Sequence, residues 1–147
     1  MIPRAPLLLG LLGLVPLLWG AATLFSGGLA EWGVRTLGTR FVAPFALLSW
    51  GQILLAFMSG VLWGFSTKMH GSRAATGYVL SVIPALWAFV MVGAGPVSSA
   101  IHLIAGFVGL AALNWSFWRQ NLAPEWWMRF SLIQTVIAVV CLAILVI

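Results

Sequence analysis

The chain has 147 residues, 63% hydrophobic and 6% charged, where a soluble domain carries roughly 25% charged residues. A domain of this length cannot hide that much apolar surface from its surroundings, so the solvent it calls for is a bilayer. The net charge of +5 comes from seven basic and two acidic residues, too few to build a basic face for nucleic acid.

About 20 apolar residues in a helix cross a bilayer. Read in chain order, the sequence predicts a first span at about 5–25, within MIPRAPLLLGLLGLVPLLWGAATLF. Its apolar run has spanning length, longer than the core of a signal peptide, and is expected to be a retained helix. Next comes SGGLAEWGVRTLGTR at 26–40. Leu29, Trp32 and Leu37 line one side of a short helix suited to the membrane interface, and Glu31 stands four residues before Arg35, the favoured order for a helical ion pair. A second span is predicted at about 41–66 and a third at about 74–93, joined by TKMHGSR with Gly71 as the stop signal. GAGP at 93–96 then turns the chain tightly into a fourth span at about 97–117, because glycine ends a helix easily and Pro96 suits the first turn of the next. RQNLAPEWWMR leads into a fifth span at about 127–147, and there Glu125 and Arg129 repeat the spacing of the first acid–base pair. The expected architecture is all-α, a single transmembrane domain over 1–147 built as a polytopic bundle of five helices.

With five crossings, the N-terminus shares a side with the second–third and fourth–fifth connections. That side holds Arg4, Lys68, Arg73, Arg119 and Arg129, and the other holds Arg35 and Arg40. The excess places the N-terminus on the cytoplasmic side. Trp32, Trp126, Trp127 and Arg129 are expected to anchor the bundle at the interfaces, where an indole ring is apolar and its N–H wet.

Polar and small groups inside the spans are the candidate working residues. In SWGQILLAFMSGVLWGF, Gly60 and Gly64 form a small-xxx-small pair, with Gln52, Ser59 and Trp63 on a neighbouring stripe. Such glycines let helix backbones approach, and Gln52 is expected to hydrogen-bond across the contact. This makes the second helix either central in the bundle or the face that meets a partner. His102, with Ser98 and Ser99 beside it, and Asn114 are candidate contacts for a polar ligand, since ionisable and polar groups at membrane depth are functional candidates. Gln134 is a further polar group able to donate to a neighbouring helix.

No carboxylate lies within a span, which disfavours a proton pump. No serine or cysteine has both a base and an acid to orient it. The lone Cys141 offers neither a disulfide framework nor a zinc pattern. The other histidine, His70, belongs to the opposite side from His102, so one chain does not supply two haem ligands. The expectation is a protein that is not an enzyme and holds no metal or resident cofactor, with a bound lipid or quinone as the ligand class open to His102 or Gln52.

The segments IPRAPLLLGLLGLVPLL, WGQILLAFMSGVLWG, VIPALWAF and APEWWMR occur in that order along nearly the whole chain. Together they resemble a family of small bacterial inner-membrane proteins of unknown function that includes the mitochondrial transmembrane protein 69. Where that resemblance leads one to expect tyrosine before the first glycine of the second motif, this chain has Trp50, an aromatic body without the hydroxyl. The resemblance implies an inner membrane and about five helices, and supplies no catalytic residue. A family common to bacteria and mitochondria suggests service to energy-converting machinery.

The leading expectation is therefore a non-catalytic accessory or assembly subunit that packs against a larger respiratory or photosynthetic membrane complex, in contact with membrane lipids. The first alternative is a small oligomeric transporter or channel with Gln52, His102 and Asn114 along its path. The second is a lipid- or quinone-binding protein.

Overall fold

The computed structural model describes residues 1–147 and contains only helices and their connections. In chain order these are α1 (Arg4–Leu12), α2 (Val15–Phe25), α3 (Gly27–Leu37), a 3₁₀ turn (Thr39–Phe41), α4 (Phe45–Ser66), α5 (Ser72–Met91), α6 (Pro96–Arg119) and α7 (Trp127–Ala143). Four stretches are long and apolar enough to cross a membrane: Arg4–Phe25, which joins α1 to α2, and α4, α5 and α6. The fifth, α7, has 17 regular residues, and tightened turns carry its helical path on to Ile147. The all-α membrane bundle expected from the sequence is the fold observed.

The centre of the bundle is α4, which touches α2, α5, α6 and α7 and is the most buried of the four long spans. Leu47, Leu54, Leu55, Met58 and Leu62 recur at helical spacing and are all buried. They pack with Leu103, Phe107 and Leu110 of α6 and with Ala138 and Leu142 of α7 in one cluster. Lipid tails are as apolar as leucine, so this core is held by close packing and interhelical hydrogen bonds more than by exclusion of water. Close packing explains two glycines. A Cβ placed on Gly51 would lie 3.1 Å from Leu103 Cδ1, and one on Gly106 would lie 2.6 Å from Leu55 Cδ2.

The first span is divided. Proline at 16 has no N–H to continue the ladder, and the turn at Gly13–Leu14 switches to tighter bonding: Leu14 N donates to Leu11 O and Leu17 N to Leu14 O. In a regular helix those two N–H groups would serve the carbonyls of Gly10 and Gly13. Pro16 in the same way leaves the Leu12 carbonyl without its donor, so the break opens three carbonyls in an apolar setting, where other elements must satisfy them.

The connections hold the ends of the bundle. Trp19 Nε1 donates to Phe41 O (2.7 Å), and Ala43 N donates to Thr23 Oγ1 (3.0 Å), fixing the chain where it enters α4. α3 begins with Leu29 N donating to the Ser26 hydroxyl, and its Leu29, Trp32 and Leu37 remain exposed, the arrangement of an interfacial helix. Glu31 and Arg35 form the expected ion pair at 3.1 Å, with both side chains exposed. The Glu125–Arg129 pair does not form. Glu125 lies in a turn before α7 begins at Trp127, so the helical spacing that would bring the two together does not apply.

At the end of the bundle that holds the N-terminus, Lys68 Nζ donates to Leu122 O (2.7 Å) and Arg73 Nη2 to Gln120 Oε1 (3.2 Å). These contacts tie the α4–α5 connection to the α6–α7 connection. At the α5–α6 turn, Gly93 (φ 147°) and Gly95 (φ 126°) take conformations closed to most side chains, and Gly93 N donates to Ser99 Oγ.

Candidate functional site

Two of the carbonyls left by the α1–α2 break are met from two different helices. Trp50 Nε1 of α4 donates to Gly13 O at 2.6 Å. Gln134 Nε2 of α7 donates to Gly10 O at 3.3 Å. With the amide nitrogen so assigned, Gln134 Oε1 faces no donor and is buried without a partner. Gln134 itself is only 5% exposed.

Around these bonds lies a cleft of about 430 Å³ walled by α1, α4 and α7, a size typical of small-ligand sites. Leu9, Ile53, Phe57 and Phe130 supply its apolar lining, with Trp50 and Gln134 bringing its polar atoms. Aromatic rings crowd the α7 side: Trp127 and Phe130 have centroids 5.6 Å apart, and Trp126 meets Phe130 edge-on at 5.9 Å. Phe65 of α4 meets Trp127 edge-on at 5.3 Å. Gly10 is required here, because a Cβ on it would run into the Phe130 ring.

A second orphaned polar atom lies behind the cleft wall, on the partner of Trp127. Trp127 Nε1 donates to Asn114 Oδ1 at 2.8 Å, and Asn114 Nδ2 is buried without a partner. Native structures leave few such groups, since each forfeits hydrogen bonds it had in water. Here one unused acceptor lies on a residue lining the cleft, and one unused donor lies on the partner of another lining residue.

The residues singled out from the sequence fall into three groups. Gln52 and Ser59 hold α4 to α5: Gln52 Nε2 donates to Ala88 O (3.1 Å) and the Ser59 hydroxyl donates to Ser81 O. Gly60 and Gly64 are a correction as contacts within this chain. Both are exposed, and a Cβ on either would meet nothing within 4 Å. The close approach that the pair was expected to make is made by Gly51 and Gly106, whose single hydrogens point at neighbouring helices. Trp63 is half exposed, with its ring 4.6 Å from that of Tyr78.

His102 and Asn114 do not share a site. His102 Nδ1 is 3.4 Å from Ser98 Oγ, and its backbone carbonyl accepts from Trp87 Nε1 (2.7 Å). Asn114 is wholly buried and committed to Trp127. With Gln52 engaged by Ala88, the three side chains assigned to a transport path are each taken up in a separate local contact. Trp127 is a correction as an interfacial anchor. It is 6% exposed, and the N–H that water would have met is spent on Asn114. Trp126 is half buried, while Trp32 and Arg129 are exposed. Cys141 is a free thiol buried in α7.

Sequence reading missed the cleft and the role of Trp50 in it. Two signals pointed there: Pro16 inside an apolar run, which breaks a helix, and Gln134 at membrane depth. Their meeting place required the fold.

The chain belongs to the family described as protein of unknown function (DUF3429), whose model matches residues 2–147. No curated protein and no solved structure matches it.

Proposed function

We propose that this membrane protein is a non-catalytic binding protein, and that its working site is the cleft at the α1–α2 break, which holds the apolar part of a membrane amphiphile. The observation that carries this reading is the buried, unpartnered Gln134 Oε1 on the wall of an apolar cleft of about 430 Å³. Acyl or isoprenoid groups fill such a cleft by dispersion contact, and an amphiphile's hydroxyl or amine group would give Gln134 Oε1 the donor it lacks. The aromatic wall adds faces and edges against which chains and flat rings pack. No metal or redox group is part of the reading, and no reaction is assigned.

The experiment is extraction of the full chain from native membranes, exhaustive washing in mild detergent and mass spectrometry of what remains bound. Ile53 lines the cleft and is 54% exposed, so Ile53→Trp fills the cleft without disturbing the core. An amphiphile retained at about one per chain by the natural protein and lost from Ile53→Trp supports the reading. Equal retention by both proteins rejects it.

A second reading, an accessory or assembly subunit of a larger energy-converting complex, is favoured by the outer face of α4. Glycine costs a helix about 1 kcal/mol relative to alanine, and Gly60 and Gly64 have no neighbour in this chain to justify that cost. A helix of another membrane protein lying across the step beside Trp63 would justify it. Co-purification with a large complex, abolished by Gly60→Ile with Gly64→Ile, is the supporting result. Migration of the protein only as a free small species across several detergents rejects it. In either reading we place the N-terminus on the cytoplasmic side of a bacterial inner membrane, on the excess of basic residues at that end.

A further inference from the structure

A second recess lies beside the cleft, at the end of the bundle that holds the N-terminus. Its volume is about 780 Å³, and Arg4 of α1 and Arg129 of α7 both line it, with Trp118 and Trp126. Trp126 also walls the apolar cleft, so this residue borders both recesses. α1 runs along both, giving Arg4 and Leu7 to the basic recess and Leu9 and Gly10 to the apolar one.

The charges in the basic recess are unspent. Glu125 is the one acid lining it, and it forms no ion pair with Arg129 or Arg4. Two guanidinium groups therefore face one carboxylate. Guanidinium groups present planar forks of donors that match phosphate oxygens. Basic recesses between spanning helices at the membrane surface are suited to anionic lipid head groups. Tryptophan on the wall adds a ring whose preferred depth is that of the head groups.

From this arrangement we propose that the ligand is an anionic, phosphate-bearing lipid: its phosphate sits between Arg4 and Arg129, and its chain passes Trp126 into the cleft of Gln134. The inference rests on the amphiphile reading above and adds the chemical class of the head group. A neutral quinol gives Gln134 Oε1 a donor but leaves both arginines unused. Free phosphate satisfies the arginines but leaves the cleft empty. An anionic phospholipid pairs its phosphate with the arginines and fills the apolar lining of the cleft with its chain, and Gln134 Oε1 is met only where the lipid also carries a hydroxyl at that depth.

The test takes the full chain, delipidated in detergent, and measures binding by native mass spectrometry with phosphatidylglycerol, phosphatidylcholine and inorganic phosphate as probes. The expected result is phosphatidylglycerol bound at about one per chain and preferred over phosphatidylcholine by roughly tenfold or more, as charge-assisted hydrogen bonds of this kind allow. Arg4→Gln with Arg129→Gln should abolish that preference, weakening phosphatidylglycerol more than phosphatidylcholine, whose phosphate is already balanced by its own choline. Both arginines are exposed, so the pair of substitutions spares the core. Ile53→Trp should release both lipids.

The outcomes separate the two claims. If the arginine variant keeps the full preference, or inorganic phosphate displaces phosphatidylglycerol at equal concentration, the anionic-lipid assignment is overturned while the cleft reading stands. A quinone recovered from native membranes in place of anionic lipid overturns it in the same way. If Ile53→Trp binds phosphatidylglycerol as tightly as the natural chain, the cleft reading itself fails.

Discussion

Trp50 of α4 reaches across to the backbone of the first span and donates its indole N–H to the Gly13 carbonyl at 2.6 Å. One side chain thereby repairs a carbonyl left open by the α1–α2 break and sets one wall of the candidate cleft. Trp50→Phe keeps the aromatic body and removes the donor. The expected cost is about 0.5–2 kcal/mol, the range for interhelical hydrogen bonds in membranes, read as a lower unfolding midpoint in detergent. An unchanged midpoint would mean that the bond contributes nothing to holding α1 and α2 against α4.

Glycines on the two faces of the bundle should respond oppositely. Gly106→Val puts side-chain atoms where Leu55 Cδ2 and Trp87 Cδ1 already stand, 2.6 Å and 3.0 Å from an added Cβ. Overpacking of that kind costs about 1–3 kcal/mol or more. Gly64→Ala meets open space and gains helix propensity, so it should be neutral or stabilising by up to about 1 kcal/mol. Thermal unfolding of the two variants side by side checks the contrast. Equal destabilisation would show that the outer face of α4 is covered in the isolated protein, by a second copy or by tightly held lipid.

Asn114 and Trp127 form a buried pair with one hydrogen bond and one unused amide donor. Removing either partner alone strands the other, whereas removing both removes the polar groups together. A double-mutant cycle with Asn114→Leu and Trp127→Phe should return a coupling of about 0.5–1.5 kcal/mol, with the double variant less damaged than the sum of the singles. Strict additivity would sink the assignment of the bond.

The ion pair of Glu31 and Arg35 should count for little. Its side chains are 76% and 73% exposed in the order arginine, glutamate, and exposed pairs of this spacing contribute about 0.3–0.5 kcal/mol or less. Glu31→Gln is expected to leave the unfolding midpoint within error and to show no added effect of salt. A large, salt-sensitive loss would place this helix against something charged.

Topology is open to a labelling test, because Cys141 is the only cysteine and is buried at 3% exposure. The natural chain should resist a membrane-impermeant maleimide. Cysteines introduced at Lys68 and Gln120, whose connections touch each other, should label from one side of a sealed vesicle, and one at Arg35 from the other. Labelling of positions 68 and 35 from the same side contradicts the five-crossing arrangement.

What could be read from residues alone was the environment and the elements. Long apolar runs separated by glycine, proline and charge mark helices one at a time, because backbone groups in hydrocarbon must be satisfied within the same segment. For the same reason the Glu31–Arg35 pair could be read from spacing, and the Glu125–Arg129 pair failed once the residues before Trp127 proved to be turn and not helix. Which faces of those helices touch was beyond the sequence. Gly51 and Gly60 look alike in a string of letters, yet one packs against Leu103 and the other faces outward. Trp127 looks like an anchor until Asn114 is placed beside it. In water, burial follows apolarity and leaves a stripe to read. In a bilayer both faces of a helix are apolar, so only the packed tertiary structure decides which glycine, indole or amide meets a neighbour.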